Sequence, residues 1–283
     1  MEQKPQWLKV PYNREAVAEV AALMKDLGLN TVCREANCPN LGECYQKHTA
    51  TFMVLGSHCT RNCRFCNVTN ARPLPPDPEE PQRLAEAAAK LGLRHVVVTQ
   101  VTRDDLPDGG SAHMAEVIRA VHNRCPGTTV EILASDMRGD HAALDLMLDA
   151  HPEVFNHNVE MPEELYADIR PGADYRRSLD VLRYASTHGD CHVKTGFMVG
   201  LGETDAQIDR LMDDILETGC EILTIGQYLQ PSPAHAKLHR YVTPAEFDAY
   251  RNLALQKGFR YVASTPLVRS SYRAAEAMEA VER

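Results

Sequence analysis

Three cysteines stand within eight residues early in the chain: Cys59, Cys63 and Cys66, spaced C-x₃-C-x₂-C. They come shortly after the apolar run 51–56. Thiolates this close together on a short loop suit a soft metal centre, and iron–sulfur clusters are bound through cysteine sulfur. Three cysteines supply only three of the four corners of a cubane cluster. The spacing therefore predicts a cluster with one iron left free for a ligand that is not protein.

A second trio lies just upstream, where Cys33, Cys38 and Cys44 are spaced C-x₄-C-x₅-C. Six of the nine cysteines thus fall between positions 33 and 66. In a large chain such clustering indicates metal or catalytic chemistry before disulfides. The other cysteines are flanked by ordinary helix or strand residues and are interpreted as small buried hydrophobes: Cys125, Cys191 and Cys220.

Zinc is the main alternative for these thiols. Structural zinc almost always has four ligands, typically two pairs separated by a longer gap. Here both groups are odd-numbered, and neither has an obvious fourth His or Cys nearby in sequence. A zinc-bearing binding module therefore stays open as a second hypothesis, and the metal content of the purified protein would decide.

Composition excludes several other classes. The chain has 283 residues, 44% of them hydrophobic, and a formal net charge of −9, which argues against a general nucleic-acid binder. No apolar run approaches the roughly 18 residues that span a bilayer. The first residues resemble neither a secretion signal nor a transit peptide. We therefore predict a cytoplasmic protein that binds neither nucleic acid nor membranes.

The elements that must position the cysteines follow from apolar periodicity. Strands are predicted at 51–56, 95–99, 129–134, 154–160, 191–199 and 221–227. Helices are predicted at 15–27, 81–91, 111–124, 140–149, 174–187, 204–218 and 244–257. Predicted helix caps are Ser111, Asp174 and the pair Thr204 and Gln207. This alternation predicts βα units around a parallel sheet, and a complete or partial barrel carries its chemistry at the C-terminal ends of its strands.

The chain is interpreted as one integrated α/β domain with three parts. Residues 1–50 form an N-terminal extension carrying the second trio, 51–258 form the barrel, and 259–283 form a C-terminal extension. The βα alternation continues through the proline-rich stretch 73–81, so no boundary is predicted there.

With Phe65 before its last cysteine, the loop 59–66 resembles that of the radical S-adenosylmethionine (SAM) superfamily. The segment 33–44 is similar to the auxiliary-cluster signature of one family within it, the lipoyl synthases. Further segments resemble the same family, in family order over nearly the whole chain: 103–110, 155–160, 198–203, 226–231 and Arg269-Ser270-Ser271-Tyr272.

The resemblance implies a six-unit, TIM-like (β/α)₆ partial barrel, open on one side, with extensions closing its mouth. It implies that Cys59, Cys63 and Cys66 hold a 4Fe-4S cluster whose open iron binds SAM and whose electron generates a 5′-deoxyadenosyl radical. It further implies that the second trio holds an auxiliary 4Fe-4S cluster that is consumed as the sulfur source. The last ligand of that cluster would be Ser271, with Ser270 less favoured.

Contacts to SAM are predicted at the strand ends. Asn158 and Glu160 are two residues apart and so face one side of their strand, and the resemblance assigns them to the methionyl and ribose parts of SAM. Lys194 is costly to bury without a partner; either SAM or a structural Asp or Glu could supply its carboxylate. Thr99 is a weaker candidate for the amino group of SAM, and Phe65 completes the set.

Other motifs are assigned more loosely. The loop 103–110 is interpreted as part of the substrate-facing mouth, and the Gly200-Leu201-Gly202 turn as a backbone approach to the adenosyl group. A basic patch for docking a protein substrate is sought at Arg61, Arg64 and Arg72.

The implied activity is insertion of two sulfur atoms at C6 and C8 of an octanoyl group attached to a lysine of a lipoyl carrier domain. The implied carriers are the E2 subunits of 2-oxoacid dehydrogenases and the glycine cleavage H protein. Expected partners also include an electron donor such as ferredoxin or flavodoxin and an iron–sulfur carrier protein. A different sulfur inserter, resembling biotin synthase, is the alternative among enzymes.

Overall fold

The computed structural model describes residues 4–10, 14–46 and 50–281. Its strands are β1 (Asn30–Thr31), β2 (Thr51–Val54), β3 (His58–Cys59), β4 (Thr69–Asn70), β5 (His95–Gln100), β6 (Thr129–Leu133), β7 (Val154–Asn156), β8 (His192–Val199), β9 (Ile222–Gln227) and β10 (Tyr261–Ser264). Its α-helices are α1 (Arg14–Asp26), α2 (Val32–Glu35), α3 (Leu41–Gln46), α4 (Glu80–Leu91), α5 (Ser111–Arg124), α6 (His141–Leu148), α7 (Tyr166–Ile169), α8 (Tyr175–His188), α9 (Asp205–Leu216), α10 (Pro244–Lys257) and α11 (Ala274–Val281). Short 3-10 turns lie at Gln6–Leu8, Met137–Gly139 and Glu163–Leu165.

The main sheet has the strand order β1-β2-β5-β6-β7-β8-β9-β10. Within the described ranges β1 pairs antiparallel with β2, and every other neighbouring pair is parallel. The strands that follow one another along the chain from β5 are neighbours, as expected for repeated right-handed βα crossovers. Because β1 and β10 form the two edges, the barrel is open, and the predicted α/β partial-barrel fold is confirmed.

Apolar strands packed under amphipathic helices form the core. Val96, Val98 and Ile132 of the strands are fully buried, as are Ile118 of α5 and Leu144 of α6. Strands buried on both faces read as continuous apolar runs, which is typical of parallel sheets covered by helices. This packing fixes the strand ends, and with them the loops that carry the chemistry.

All six predicted strands are present, with differences at their ends. The fourth, β7, ends at Asn156 rather than 160, because Glu160 has a left-handed φ of 73° and contacts β8 only through an isolated bridge to Phe197. A seventh parallel strand, β10, was not predicted. It is short, alternates between buried and half-buried residues, and extends the sheet from the segment interpreted as a C-terminal extension. The division of the chain at residues 50 and 258 stays a prediction.

Two of the three predicted helix caps are confirmed. The Asp174 side chain accepts a hydrogen bond from Arg177 N, and Thr204 and Gln207 form a reciprocal capping box. The Ser111 cap is wrong. Gly110 is the N-cap, in a left-handed conformation with φ of 92°, and the Asp108 carboxylate accepts from Gly110 N and Ala112 N in its place.

Candidate active site at the barrel mouth

The cluster loop, residues 59–66, leaves β2 at the C-terminal end of the barrel and is anchored there by Arg61. The Arg61 guanidinium donates to both carboxylate oxygens of Asp104, at 2.8 and 2.9 Å, and to Asp136 Oδ1 at 2.7 Å. Asp136 is fully buried and also accepts from Arg177 Nε at 2.9 Å. Although burial raises the pKa of Asp136, the hydrogen bonds and charge of Arg61 hold it well below its usual range. A buried, ionised carboxylate therefore ties this loop to those following β5 and β6.

Backbone hydrogen bonds hold the same loop on its other sides. Thr60 N donates to Thr102 O at 3.0 Å, and Arg64 N donates to Ile169 O at 2.7 Å. Ala236 N donates to Arg64 O at 2.7 Å, while the His235 ring lies 3.1 Å from Cys66 O. Loops from four parts of the barrel thus fix the positions of the three cysteines.

The strand end that leads into the cluster loop is fixed by two charged side chains. Leu55 has a left-handed φ of 66°; its N–H donates to the buried Glu80 carboxylate at 2.9 Å, and its carbonyl accepts from Arg103 at 3.3 Å. A Cβ at Gly110 would collide with the Leu55 side chain. Non-glycine residues in this region of φ are strained unless their surroundings hold them. These contacts therefore set the direction in which the cysteine loop departs.

The three thiols of the loop form no disulfide with any described residue and are half-buried. Burial raises the pKa of Cys66 to about 12, and the neighbouring Cys63 and Cys59 raise it further. Burial likewise raises the pKa of Cys63, which the Arg170 guanidinium opposes. Thiols in such surroundings become thiolates when a metal takes the place of their protons. The loop therefore fits a cationic iron–sulfur centre better than it fits free thiolate chemistry.

No preformed site for a single metal ion accompanies these thiols. Within residues 4–10, 14–46 and 50–281, no three His, Cys, Asp or Glu side chains meet around a point that one ion could occupy. The fit to a cluster consequently depends on the number and type of the cysteines and on their spacing along the chain.

Asn158 and Glu160 lie just beyond the end of β7, not within a strand reaching residue 160 as predicted, and a buried cation lies near both. Arg170 donates to Asn158 O at 3.1 Å and to Tyr166 Oη at 2.9 Å, and its guanidinium lies 5.5 Å from the centre of the Tyr166 ring. Burial raises the pKa of Glu160, while Arg170 and a hydrogen bond from Asn158 oppose that rise. The Asn158 Oδ1 atom is buried without a partner among the described residues, so an acceptor remains available for a ligand.

Arg170 is the functional candidate that sequence reasoning missed. It precedes Pro171-Gly172 in a stretch without strand or helix periodicity, which reads as a solvated turn. The available signal was its position a short distance beyond Glu160, since a buried carboxylate usually needs a cation nearby.

Lys194 corrects the predicted set of SAM contacts. Its Nζ atom lies 2.8 and 3.0 Å from the two carboxylate oxygens of Glu131, and both residues are about 99% buried. In register it pairs with Asn156, below the mouth that begins at Asn158. Of the two partners left open, the structure has the structural carboxylate, so Lys194 belongs to the barrel floor.

Thr99 and Phe65 stay weaker candidates. The Thr99 hydroxyl donates to Leu133 O at 3.1 Å, so it is already engaged within the sheet. Phe65 is half-buried and packs against the main core beside the cluster loop. Both lie at the mouth, and their contact with SAM stays a prediction.

The second trio meets the C-terminal segment through Ser271. Ser271 Oγ accepts a hydrogen bond from Thr51 Oγ1 at 2.7 Å. Burial raises the pKa of Cys33 to about 11, opposed by hydrogen bonds from that same Thr51. Ser270 faces elsewhere, because its Oγ accepts from Asn158 Nδ2 at 2.5 Å. The two adjacent serines therefore point to different sites, and Ser271 is the one beside the second trio.

Further contacts hold these two distant parts of the chain together. Asn40 Nδ2 donates to Leu267 O at 2.7 Å, and the Tyr272 hydroxyl donates to the Glu43 carboxylate at 3.2 Å. A Cβ at Gly226 would collide with the Val268 carbonyl oxygen, so the C-terminal segment lies directly on β9. The segment 265–272 thus crosses the mouth between the two groups of cysteines.

Three looser assignments need correction. Arg61 is only 6% exposed and ion-paired, so it is not part of a docking patch. In the loop 103–110, Arg103 is buried against Asp105 and Leu55, so part of this loop supports the cluster loop. The close approach at Gly200 is to Gln227 and the backbone of Arg240, which accounts for that glycine without a ligand.

Comparison with known proteins identifies the family. The model of the radical SAM superfamily matches residues 53–215. The lipoyl synthase of Caldanaerobacter subterraneus subsp. tengcongensis is 51% identical over 272 residues, which cover 96% of this chain and 95% of that protein. The lipoyl synthase of Nitratidesulfovibrio vulgaris is 51% identical and covers 98% of this chain and 93% of its own. The lipoyl synthase of Chlorobaculum tepidum is 50% identical, and the match covers 99% of this chain and 97% of that protein.

The chain belongs to the lipoyl synthase family.

Solved structures agree on the fold of this lipoyl synthase family member. The FeFe-hydrogenase maturase HydG from Carboxydothermus hydrogenoformans superposes with a TM-score of 0.62 at 12% identity, covering 95% of this chain and 70% of that one. Methylornithine synthase superposes with a TM-score of 0.57 at 14% identity, covering 93% and 82%. At such identities the likeness concerns the fold alone.

Membership of the lipoyl synthase family confirms several predictions. The chain is a radical SAM enzyme of the sulfurtransferase class, and it uses SAM together with iron–sulfur chemistry. Among the helices of the described ranges, none is long and apolar enough to cross a bilayer. The roles of individual residues and the number of clusters are not decided by this membership.

Proposed function

We propose that this enzyme inserts two sulfur atoms, at C6 and C8, into an octanoyl group borne by a lysine of a lipoyl carrier domain. The observation that carries the proposal is the position of residues 269–272. Ser271 is bonded to Thr51 beside the second cysteine trio, and Ser270 is bonded to Asn158 beside the first. One short segment therefore joins a candidate radical-generating site to a candidate sulfur-donating site.

The residues divide into two groups in this proposal. Cys59, Cys63 and Cys66 would hold one 4Fe-4S cluster with an open iron for SAM, and Cys33, Cys38, Cys44 and Ser271 would hold a second. When bound, the first cluster would supply the electron that converts SAM into a carbon radical, and the second cluster would supply sulfur. A carbon radical is needed because unactivated C–H bonds lie beyond side-chain acids and bases.

The chain's own side chains would orient SAM and exclude water. Asn158 has a buried acceptor, Oδ1, that finds no partner among the described residues, and Glu160 is buried beside the Arg170 cation. Oriented polar groups in a site closed to water bind more strongly than the same groups in solvent. We assign Asn158 and Glu160 to SAM, with Phe65 and Thr99 as weaker contacts. Arg170 would act as a positioning residue for Glu160.

A serine ligand suits a cluster iron that must dissociate easily. A serine oxygen is a harder ligand than a thiolate and a poorer match for a soft iron–sulfur centre. Ser271→Ala should therefore weaken retention of the second cluster and stop sulfur insertion. Ser270→Ala, which leaves the Thr51–Ser271 contact in place, is the matched control and should retain both clusters.

The test is an anaerobic one. The reconstituted protein should contain about eight irons per chain, the content of two cubane clusters. It should also convert an octanoyl-lysyl peptide into a product bearing two added sulfur atoms. An iron content of about four per chain, or zinc in place of iron, would contradict the proposal. Sulfur insertion into dethiobiotin rather than the octanoyl peptide would point to a biotin synthase-like activity.

Further partners belong to the same proposal. The substrates would be octanoylated E2 subunits of 2-oxoacid dehydrogenases and the glycine cleavage H protein. Ferredoxin or flavodoxin would supply electrons, and an iron–sulfur carrier protein would rebuild the second cluster. The setting for these proteins would be the cytoplasm.

A further inference from the structure

Two loops at the barrel mouth differ in charge from the rest of this acidic chain. The formal net charge is −9, yet residues 57–76 and 228–245 contain no Asp or Glu. The first segment includes the cluster loop and the proline-rich stretch after it. The second follows β9. Each carries several basic side chains, so both are locally positive on a protein that is negative overall.

Hydrogen bonds join these two loops into one surface. Ala236 N donates to Arg64 O at 2.7 Å, and the His235 ring contacts Cys66 O at 3.1 Å. Four of their cations are exposed, and three of these, Arg64, Arg72 and Lys237, we call the basic rim; the fourth is Arg240. The rim borders the cluster loop at the open end of the barrel, where any substrate must enter.

The basic rim is free of ion pairs in the part of the chain that the structure describes. Among the described residues, no carboxylate oxygen lies within 4.0 Å of Arg64, Arg72 or Lys237, and the Arg64 guanidinium donates only to the Asp168 carbonyl, at 3.2 Å. Other cations of the same loops are neutralised locally. Arg61 is held by Asp104 and Asp136, and Arg240 lies 2.6 Å from Glu246. The three rim charges therefore remain available to a partner.

An exposed apolar side chain follows Arg72 by two residues along the chain. Leu74 is 75% exposed, the most exposed of the large hydrophobic residues of the described ranges. It lies between Pro73 and Pro75, which restrict its backbone, so little conformational entropy would be lost when a partner covers it. Exposed apolar side chains next to unpaired charge are typical of protein–protein contacts with a polar rim.

We propose that the basic rim and Leu74 dock the protein part of the substrate through an acidic face around its modified lysine. This inference rests on the proposed function, because it assumes that the octanoyl group arrives on a folded carrier domain. A nucleic acid is a poorer occupant, since the overall charge of −9 would repel it. Opposite charge at the rim of an interface speeds encounter and selects partners, and salt screens it.

The experiment compares two substrates that carry the same reacting group. One is a folded octanoylated carrier domain with an acidic face, and the other is a short uncharged octanoyl-lysyl peptide. Arg72→Glu and Lys237→Glu are tested singly and together, with Leu74→Ala as the apolar variant. Arg64 is left unchanged because it neighbours Cys63 within the cluster loop.

Each charge reversal should raise the KM for the folded domain by about three- to ten-fold at low ionic strength, with kcat little changed. The double variant should raise it further, and the differences should shrink in high salt. The KM for the peptide should stay the same in every variant. Leu74→Ala should raise the KM for the domain about two- to five-fold, independently of salt.

Arg94→Glu is the matched control. Arg94 is exposed, has no carboxylate within ion-pair distance in the described ranges, and immediately precedes β5 at the opposite end of the barrel. It should leave both KM values unchanged. Equal effects of Arg94→Glu and Arg72→Glu, or equal effects on domain and peptide, would overturn the docking inference. Failure of the unmodified enzyme to thiolate the peptide would instead contradict the proposed function.

Discussion

The two groups of cysteines are held in different ways. The loop 59–66 is anchored inside the barrel by Arg61, the fully buried Asp136 and backbone bonds from several βα loops. The second trio lies in the N-terminal extension and is closed by a segment more than 200 residues later in the chain. Hydrogen bonds from Asn40, Thr51 and Tyr272 cross that junction.

This difference matches the different duties that the proposed function gives the two groups. A site that cuts SAM repeatedly needs fixed thiols, and buried charged networks resist rearrangement because each broken pair leaves an uncompensated charge. A site whose cluster is consumed and rebuilt must open, and single hydrogen bonds of about 1 kcal/mol allow that. The first site is thus held rigidly, whereas the second can open when the segment 265–272 moves away from the second trio.

Replacing one cysteine in each group should give the largest effect and the sharpest division. Cys63→Ala should abolish reductive cleavage of SAM, measured as 5′-deoxyadenosine, because the proposed open-iron cluster would lose one of its three protein ligands. Cys38→Ala should leave that cleavage measurable while sulfur insertion stops. Cys220→Ala, in a buried thiol remote from both groups in sequence, is the control for general loss of a cysteine. Equal loss of both activities in Cys63→Ala and Cys38→Ala would remove the distinction drawn here.

Breaking the anchor of the cluster loop should be the next largest effect. Asp136→Ala removes the carboxylate shared by Arg61 and Arg177, at 2.7 and 2.9 Å, and leaves buried positive charge. Breaking such a pair costs about 3–5 kcal/mol of unfolding free energy. Glu163→Ala, which removes an exposed pair with Arg176, should cost less than about 1 kcal/mol. Urea unfolding of the two variants measures both, and similar losses would mean that the anchor is no stronger than a surface pair.

The free energy of unfolding should depend on pH through His157, which is buried near the cluster loop. Burial, reinforced by the Arg170 charge, lowers the pKa of His157 to about 4, so the fold favours its neutral form. The contribution of the neutral His157 to the free energy of unfolding is complete above pH 6.5, the ordinary pKa of histidine, and is lost as the pH falls towards 4. The shift corresponds to about 3 kcal/mol.

His157→Asn should reduce the loss of stability between pH 6.5 and 4 by that amount, because Asn can still donate to Ala134 O but cannot take up a proton. Parallel unfolding curves for wild type and His157→Asn over this range would show that His157 does not titrate against folding.

Sequence reasoning predicted the fold correctly because the fold depends on local patterns; the cluster roles of the cysteines also come from a local pattern and stay a prediction. The βα periodicity gave six strands, and the C-x₃-C-x₂-C spacing requires no knowledge of tertiary contacts. It failed where a side chain's role depends on residues far along the chain. For Lys194 the sequence left SAM and a structural carboxylate open as partners, and only the fold brings Glu131, 63 residues away, within hydrogen-bond distance. No role was predicted for Arg170, and the opposite directions of Ser270 and Ser271 cannot be predicted from the sequence Arg-Ser-Ser-Tyr.

The smallest expected effect concerns the junction of the second trio. Tyr272→Phe removes the hydrogen bonds to Glu43 and should cost about 1 kcal/mol. Because that junction is local, hydrogen exchange in residues 265–281 should accelerate roughly five-fold, the factor equivalent to 1 kcal/mol, while global unfolding changes little. Tyr184→Phe, which removes a bond of 2.7 Å to Asp145 on the outer helices, should leave exchange in this segment unchanged. Because the weaker junction should open first, Tyr272→Phe should lose iron faster from the second trio than from the first. The opposite order would contradict the difference in rigidity between the two sites.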